Sequence, residues 1–300
     1  MNDFLRAVDL FKFFPIRRGF FRRVVGHVHA VNGVSFSLKK GKILGVCGES
    51  GCGKSTLGRM LVRLIEPDKG TLFLEGKEYS LLTHQERVKF YTQVQLVFQD
   101  PYSALNPRMT IEDNLILPLT QGPLGLFPQE ARSRMAEALE LVGLGGDQLH
   151  STCKRYSHQF SGGQQQRICL ARALSFKPQV LILDEVLSAL DLSIQAQVLQ
   201  LLLDLRASLN LTLVFISHDL ASLAHLCDDV AVMYLGQIVE RGPVRELFSA
   251  PLHPYTQSLM AALPGNTESS RGSSLPILQG EPSSNAVSYT HLRAHETDSY

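Results

Sequence analysis

Residues 48–55 read GESGCGKS, and these residue types at this spacing can hold phosphate. Glycines let backbone N–H groups turn inward around an anion, a lysine neutralises phosphate oxygens, and a serine hydroxyl at a helix start can bind Mg²⁺. The segment follows the apolar run ILGVC (43–47) and precedes a helical pattern, as such a loop requires. We therefore predict a phosphate-binding loop made of Gly48, Glu49, Ser50, Gly51, Cys52, Gly53, Lys54, Ser55 and Thr56.

A second chemical feature is VLILDE (180–185), an apolar run that ends in two carboxylates. Asp184 can hold the shell of a Mg²⁺ ion, and Glu185 lies one residue further on, where it can polarise an attacking water. By itself this pattern also fits a plain strand end. Together with the phosphate-binding loop, it indicates nucleotide hydrolysis.

A third feature, FSGGQQQR (160–167), is another polar segment that contains glycine. Ser161, Gly162 and Gly163 precede a helical stretch, so we expect Ser161 at or near the helix start, with its hydroxyl and the following N–H groups facing outward. Such an end binds an anion, but an ordinary serine cap on a core helix has the same sequence. The chain thus carries two candidate phosphate cradles.

The strands and helices that position the two cradles and the carboxylates are predicted from alternating hydrophobic patterns along the chain. The apolar runs alternate with helical spacing, as at Leu57, Met60, Leu61 and Leu64, which indicates a mainly parallel sheet covered on both faces. The strands predicted for this sheet are 43–47, 93–98, 180–184, 212–217 and 230–235.

Two other regions depart from this alternation. The N-terminal runs VNGVSFSL and TLFLEG alternate with turn residues and indicate antiparallel strands. Between residues 99 and 174 strand signals fade and helical patterns such as ARSRMAEALELVGL (131–144) replace them. We therefore predict a helical insert within an α/β body.

Composition limits the class of protein. The 300 residues are 44% hydrophobic with a net charge of +1, so a large core is possible and no polyanionic partner is indicated. No apolar run reaches the roughly 18 residues that span a bilayer, and we expect a cytoplasmic chain unless a partner holds it at a membrane. An odd number of cysteines without C-x-x-C spacing disfavours a zinc ribbon, an iron–sulfur cluster or a disulfide framework. The cysteines are Cys47, Cys52, Cys153, Cys169 and Cys227.

Six segments together resemble the ATP-binding-cassette (ABC) ATPases in order and approximate spacing, over about residues 5–264. They are GESGCGKST, VFQDP with Gln99, FSGGQQQR, VLILDE, SALD (188–191) and ISHD with His218. The resemblance implies an α/β fold: a P-loop NTPase cassette with a RecA-like core, an N-terminal antiparallel β subdomain and a helical insert. It also implies ATP and Mg²⁺ as ligands. Two cassettes of this family meet head to tail, so that the second cradle of one faces the γ-phosphate held by the other.

The resemblance also implies individual roles. Glu185 corresponds to the catalytic base, Gln99 to a switch residue that binds Mg²⁺, and His218 to a sensor of the γ-phosphate. Phe14 corresponds to the aromatic residue that stacks on adenine, and Asp191 to the loop that crosses the dimer interface. The implied Mg²⁺ ligands are Ser55, Gln99 and Asp184, and the implied residues of the second cradle are Ser161, Gly162, Gly163 and Gln164. The chain departs from the family at Val186, where proline is common, and at Phe160, where leucine is usual.

Finer features resemble ATPase subunits of the oligopeptide/dipeptide permease (OppF/DppF) type. They are an insert between the first two strands, QDPYSALNPRMTI after Gln99, SIQAQVL after SALD, and the closing PLHPYTQSLMAALP. The resemblance implies that the chain powers import of oligopeptides or dipeptides at the cytoplasmic face of the cell membrane. The implied partners are a second, related ABC ATPase subunit, two transmembrane permease subunits and an extracytoplasmic solute-binding protein, with no nucleic acid.

The implied organisation has three parts. Residues 1–248 form the ABC ATPase domain, with the helical insert at about 100–175, and residues 249–264 form the C-terminal extension of oligopeptide transporters. Residues 265–300 are rich in Ser, Gly, Asn and Pro and are expected to be disordered, and their last part, 288–300, resembles a translated cloning adaptor. Two alternatives stay open: an ABC ATPase for nickel, glutathione or another solute, and a soluble ABC protein that acts on nucleic acid or ribosomes.

The insert at residues 17–23 is basic and aromatic. It contains four arginines with Phe20 and Phe21 between them, and no acidic residue occurs from Leu10 to Gly48. A solvated charged loop and a contact with anionic lipid headgroups are both compatible with this sequence.

Overall fold

The computed structural model describes residues 3–261 and 286–288. Its strands are β1 (Leu5–Arg18), β2 (Arg23–Leu38), β3 (Ile43–Cys47), β4 (Lys69–Leu74), β5 (Lys77–Glu78), β6 (Val94–Val97), β7 (Val180–Asp184), β8 (Thr212–Ile216), β9 (Asp229–Tyr234), β10 (Gln237–Pro243) and β11 (Ala286–Ser288). Its α-helices are α1 (Lys54–Leu61), α2 (His84–Gln93), α3 (Pro101–Ala104), α4 (Ile111–Gln121), α5 (Pro128–Leu141), α6 (Leu149–Lys154), α7 (Gly162–Leu174), α8 (Leu192–Leu209), α9 (Leu220–Leu226), α10 (Val244–Ser249) and α11 (Pro254–Ala261). Short 3₁₀ helices cover Tyr79–Leu81, Gly146–Gln148 and Ser157–Gln159.

The N-terminal strands form an antiparallel sheet in the order β11-β2-β1-β4-β5. β1 and β2 pair from Leu5 opposite Leu38 to Arg18 opposite Arg23, so together they make one long hairpin with its tip at residues 19–22. This confirms the predicted antiparallel β subdomain. The basic insert forms the end of that hairpin.

The second sheet has the order β10-β9-β3-β8-β7-β6, and its five strands from β9 to β6 are parallel. The strands predicted for this sheet are confirmed, with ends that differ by at most one residue. Because β3 and β7 run in the same direction, the loop after Cys47 and the carboxylates at the end of β7 come to one edge of the sheet. That edge is where the chemistry predicted from sequence is brought together.

The predicted helical insert is also confirmed. Helices α3 to α7 fill the chain between β6 and β7. An isolated bridge between Thr110 and Tyr156 joins the start of α4 to the segment before the second cradle. One helix prediction was wrong: α1 ends at Leu61, the backbone of Arg63 turns to a φ of 59°, and Leu64 is exposed.

Two apolar cores lie on opposite faces of the parallel sheet. Alternate residues of β3 show this: Leu44 and Val46 pack toward α1 and the N-terminal sheet, whereas Ile43 and Cys47 pack toward the insert and the later helices. Burial on both faces explains why the strands of this sheet read as continuous apolar runs.

The chain after β10 continues onto the body of the protein. Tyr255 and Met260 of α11 belong to the same apolar core as Ile43. Within the segment predicted to be disordered, residues 265–300, the short strand β11 pairs with β2. The other residues of that segment lie outside the described residues, and so does the adaptor-like sequence except for its first residue, Ser288. Over the described ranges, none of the helices has the length and apolar character needed to cross a bilayer.

Candidate nucleotide-binding site

The phosphate-binding loop leaves β3 and enters α1 with a backbone that glycine makes possible. Gly48, Gly51 and Gly53 have φ angles of 146°, 82° and 108°. A Cβ atom on Gly53 would collide with the backbone carbonyl oxygen of Ala30, and one on Gly48 with that of Met233. The loop is therefore packed closely against β2 and β9.

Lys54, the first residue of α1, is held inside this loop. Its side chain is 4% exposed, and its Nζ donates hydrogen bonds of 2.8 Å to the backbone carbonyls of Gly48 and Glu49. A buried ammonium needs such partners. An incoming anion can take their place, because phosphate oxygens accept stronger, charge-assisted hydrogen bonds from a lysine than neutral carbonyls do.

A cavity of about 220 Å³ opens beside the loop. It is lined by Ala30, Ser50, Gly51, Gly53, Lys54, Ser55, Thr56, Gln99 and Glu185. The fold thus brings Gln99 and Glu185, which are distant in sequence, to the predicted phosphate-binding loop. Gly48, Glu49 and Cys52 belong to the loop but do not line the cavity, and burial raises the pKa of the Cys52 thiol.

Ser55 and Asp184 place two oxygens together next to this cavity. Ser55 Oγ donates a 2.9 Å hydrogen bond to Asp184 Oδ1. Burial raises the pKa of the Asp184 carboxyl, and the charge of Glu185 adds to this effect while the Ser55 bond opposes it. A buried carboxylate beside a hydroxyl fits a hard divalent cation. The described residues contain no group of three His, Cys, Asp or Glu side chains placed for a metal.

Glu185 lies at the centre of the three residues predicted to be catalytic. Its Oε2 accepts a 2.8 Å hydrogen bond from Gln99 Nε2, and its Oε1 lies 3.5 Å from His218 Nδ1. The backbone of Glu185 has a φ of 47°, and its carbonyl accepts hydrogen bonds from the N–H and hydroxyl of Ser188. Val186, which replaces the common proline, is buried. The turn after β7 is thus tied down although it lacks proline.

The second cradle does not line this cavity. Ser161 caps α7 in a capping box: its hydroxyl accepts from the N–H of Gln164, and Gln164 Oε1 accepts from the N–H of Ser161. Gly162 is the first residue of α7, and a Cβ on Gly163 would press against Ile194. Ser161 lies at the start of α7, where it is exposed, and its hydroxyl also accepts a hydrogen bond from that helix start.

Asp191 and Phe14 also lie away from the cavity lining. Asp191 caps α8 and accepts a 3.0 Å hydrogen bond from the N–H of Ile194. Phe14 is 38% exposed on β1 and pairs across the hairpin with Val28, two residues before the cavity-lining Ala30. Its exposed ring therefore lies beside β2, the strand that contacts the phosphate-binding loop at Ala30.

Sequence reasoning missed two contacts of the loop. Ala30 of β2 lies against Gly53, and the Tyr255 hydroxyl accepts a 2.9 Å hydrogen bond from the N–H of Glu49. No motif linked either residue to the loop, since both contacts arise from tertiary packing. The only sequence feature that drew attention to Tyr255 was its segment PLHPYTQSL, which resembles the closing segment of peptide-permease ATPases.

Substitution of loop glycines tests this geometry. Gly53→Ala is expected to lower the thermal midpoint by several degrees and to abolish binding of ATP, because it combines a positive φ with a collision at the Ala30 carbonyl. Gly51→Ala is the matched control, since Gly51 also has a positive φ but a Cβ atom there would have nothing within 4 Å. It should cost only the backbone strain of about 1–3 kcal/mol. Equal effects in the two variants, measured by thermal unfolding and equilibrium ATP binding, would contradict the collision.

Comparison with known proteins agrees with this geometry. Residues 31–188 match the model of the ABC transporter family. Residues 239–289 match the model described as "Oligopeptide/dipeptide transporter, C-terminal region".

Individual relatives are similar over most of the chain. It is 48% identical over 262 residues to the oligopeptide transport ATP-binding protein AppF of Bacillus subtilis, covering 87% of this chain and 78% of that protein. It is 46% identical over 293 residues to the glutathione import ATP-binding protein GsiA of Escherichia coli K12, covering 97% of this chain. The match spans only 45% of the length of GsiA.

Solved structures share the fold. The protein cbiO1 of Clostridium perfringens, part of the ABC transporter complex cbiONQ, matches with a TM-score of 0.68 and 25% identity, covering 83% of this chain and 92% of that one. The dimeric ATP-binding cassette MJ0796, bound to ADP and Pi after hydrolysis, matches with a TM-score of 0.67 and 26% identity, covering 80% of this chain and 99% of that one. From the family match and the extent of the AppF similarity, we conclude that the chain belongs to the ABC transporter family and is an ATP-binding ATPase.

Proposed function

We propose that the chain is the ATP-hydrolysing subunit that powers import of oligopeptides or dipeptides through a membrane permease. The observation that carries this proposal is the match of residues 239–289 to the C-terminal region of oligopeptide/dipeptide transporters, supported by the similarity to AppF. Import of glutathione is the second candidate, because GsiA shares 46% identity with the chain. Both candidates use the same ATPase site and differ in the cargo.

The proposed mechanism begins with ATP at the phosphate-binding loop. The phosphates draw Lys54 Nζ away from the carbonyls of Gly48 and Glu49, to which it is bonded at 2.8 Å. Ser55, Asp184 and Gln99 would hold Mg²⁺, which would supply positive charge to the phosphate oxygens. The exposed ring of Phe14 would stack on the adenine.

Glu185 is the proposed general base. It accepts a proton from the attacking water, and the Gln99 bond of 2.8 Å keeps the carboxylate oriented. His218, whose Nδ1 lies 3.5 Å from the same carboxylate, would contact the γ-phosphate. These three residues come from different segments, so displacement of any one of them interrupts hydrolysis.

The second cradle serves another nucleotide in this proposal. Ser161, Gly162, Gly163 and Gln164 do not line the cavity beside Lys54, which supports a role facing the ATP held by a second, related cassette. Asp191 would lie at the interface between the cassettes. Residues 1–248 would be the ATPase domain and residues 249–264 the extension, and two permease subunits and a solute-binding protein would complete the transporter.

Purification of the full chain with its native partners tests the proposal. The chain is extracted under mild detergent from membranes of a host that carries those partners, and ATP hydrolysis by the complex is measured with peptide or glutathione. Recovery of two multi-spanning subunits and a second cassette, with stimulation by peptide, is expected. Stimulation by glutathione alone would favour the second candidate. Recovery of ribosomes or nucleic acid without membrane proteins would contradict import.

The tip of the β1–β2 hairpin supports a location at the membrane surface. Phe20 and Phe21 are 97% and 82% exposed, and their rings meet edge to face with centroids 5.6 Å apart. The flanking arginines are all exposed: Arg17, Arg18, Arg22 and Arg23. Exposed aromatics beside a cluster of positive charge match the chemistry of an anionic bilayer surface.

Neutralising the four tip arginines to glutamine is expected to remove most binding of the full chain to vesicles that contain phosphatidylglycerol. Each basic residue near such a surface contributes about 1 kcal/mol. Cosedimentation with anionic and with neutral vesicles measures the effect. The control variant carries the same loss of charge at exposed positions elsewhere: Lys39, Lys69, Lys89 and Arg108. Equal vesicle binding by the two variants would support the solvated loop instead.

A further inference from the structure

We propose that Tyr255, in the C-terminal extension, is a positioning residue for nucleotide binding. Its hydroxyl accepts the 2.9 Å hydrogen bond from the N–H of Glu49, a residue 206 positions earlier in the chain. Tyr255 is 3% exposed, and the bond is partly buried. The inference rests on the proposed placement of ATP at the phosphate-binding loop.

The bond acts on the same peptide group that holds Lys54. The carbonyl of Gly48 and the N–H of Glu49 belong to one planar trans peptide unit, so they point in opposite directions. The carbonyl accepts from Lys54 Nζ at 2.8 Å, and the N–H donates to Tyr255. Rotation of this peptide would break both bonds. Tyr255 therefore fixes the orientation of the loop at the point where the phosphate-binding lysine rests.

The extension is anchored to the body independently of this hydroxyl. Glu240 of β10 accepts hydrogen bonds of 2.8 Å and 3.0 Å from the N–H groups of Leu252 and His253. His253 Nδ1 in turn accepts from the N–H of Tyr255 at 3.1 Å, next to the start of α11 at Pro254. These bonds hold the start of α11 whether or not residue 255 carries a hydroxyl.

The ring of Tyr255 provides a second anchor. It packs against the ring of Tyr234 at the end of β9, with centroids 4.3 Å apart, and belongs to the main apolar core. A phenylalanine at position 255 preserves this packing. The Tyr255→Phe variant therefore removes one hydrogen-bond acceptor from the loop and leaves the fold of the extension in place.

Loss of this acceptor changes the conformations available to the loop. The N–H of Glu49 loses its acceptor in the protein, so the peptide turns toward other acceptors and carries the Gly48 carbonyl with it. Conformations that cannot receive phosphate become populated. The apparent dissociation constant rises in inverse proportion to the fraction of chains that remain competent. When ATP draws Lys54 away from the Gly48 carbonyl, the hydrogen bond from the Glu49 N–H to Tyr255 still holds the Gly48–Glu49 peptide.

The test measures binding of a fluorescent ATP analogue, mant-ATP with Mg²⁺, to the full-length Tyr255→Phe variant. We expect the Kd for the analogue and the KM for ATP to rise about 5-fold, with kcat and the nucleotide-free thermal midpoint nearly unchanged. Tyr234→Phe is the matched control, because it removes a hydroxyl from the adjacent ring, which makes no hydrogen bond to the loop among the described residues. It should bind the analogue as the unsubstituted chain does.

Lys54→Ala, measured in parallel, separates this inference from the placement of the nucleotide. If Lys54→Ala abolishes binding and Tyr255→Phe leaves Kd unchanged, the positioning role is wrong and the site stands. If Lys54→Ala binds normally, the nucleotide lies elsewhere and both proposals fail. A lower thermal midpoint and kcat at constant KM would show that Tyr255 serves only the fold.

Discussion

Glu185→Gln is expected to reduce ATP hydrolysis by about 100-fold or more while ATP binding is retained, because an amide cannot take a proton from the attacking water. The side-chain oxygen that remains can still accept the hydrogen bond that Gln99 now donates at 2.8 Å. We therefore expect the Glu185 carboxylate to contribute little to ATP binding and much to ATP hydrolysis. Steady-state phosphate release and equilibrium binding of mant-ATP measure the two effects separately.

We propose that binding of MgATP closes a pair of cassettes and that hydrolysis reopens it, so the same variant should accumulate as a closed dimer when MgATP is present. Size-exclusion chromatography of the cassette pair with and without MgATP detects this species. Glu246→Gln is the control, because Glu246 is an exposed carboxylate on α10. Full turnover in Glu185→Gln would remove Glu185 from its assigned role.

Lys54→Ala is expected to weaken ATP binding by about 100-fold, because it removes the charge-assisted hydrogen bonds from the ammonium to the phosphates. The substitution also deprives the carbonyls of Gly48 and Glu49 of the donor that now satisfies them. Circular dichroism and thermal unfolding without nucleotide show whether the loop variant still folds.

The matched control for this lysine is Lys89→Ala, which removes an exposed ammonium on α2. It should bind ATP like the unsubstituted chain. Retained binding by a folded Lys54→Ala variant would be inconsistent with phosphate at the loop. Because Lys54→Ala affects binding and Glu185→Gln affects hydrolysis, together they test both halves of the proposed mechanism.

The proposed role of the C-terminal extension in positioning the phosphate-binding loop is not tested by Glu185→Gln or Lys54→Ala. The chain matches the C-terminal region of oligopeptide/dipeptide transporters over residues 239–289. Tyr255 links this region to the N–H of Glu49 in the loop. If the positioning role holds, displacement of the extension by a partner would alter affinity for ATP without touching the nucleotide.

The amino-acid sequence by itself determined the strands of the parallel sheet and the chemistry at their ends. Burial on both faces makes each strand a continuous apolar run, and the phosphate-binding loop requires glycine, lysine and serine at fixed spacing. Such signals are local, so GESGCGKS and VLILDE could be interpreted without a structure. The end of α1 was misplaced because Leu64 continues the helical spacing although the backbone turns at Arg63.

Only the tertiary structure decided which of these residues meet. The carboxylate of Glu185 lies next to Gln99 and His218, because parallel strands bring distant loops to a single edge of the sheet. Likewise Tyr255 reaches the N–H of Glu49 through packing of α11 on β9. Contacts between residues far apart in sequence depend on how complete elements pack, and no short motif records that packing.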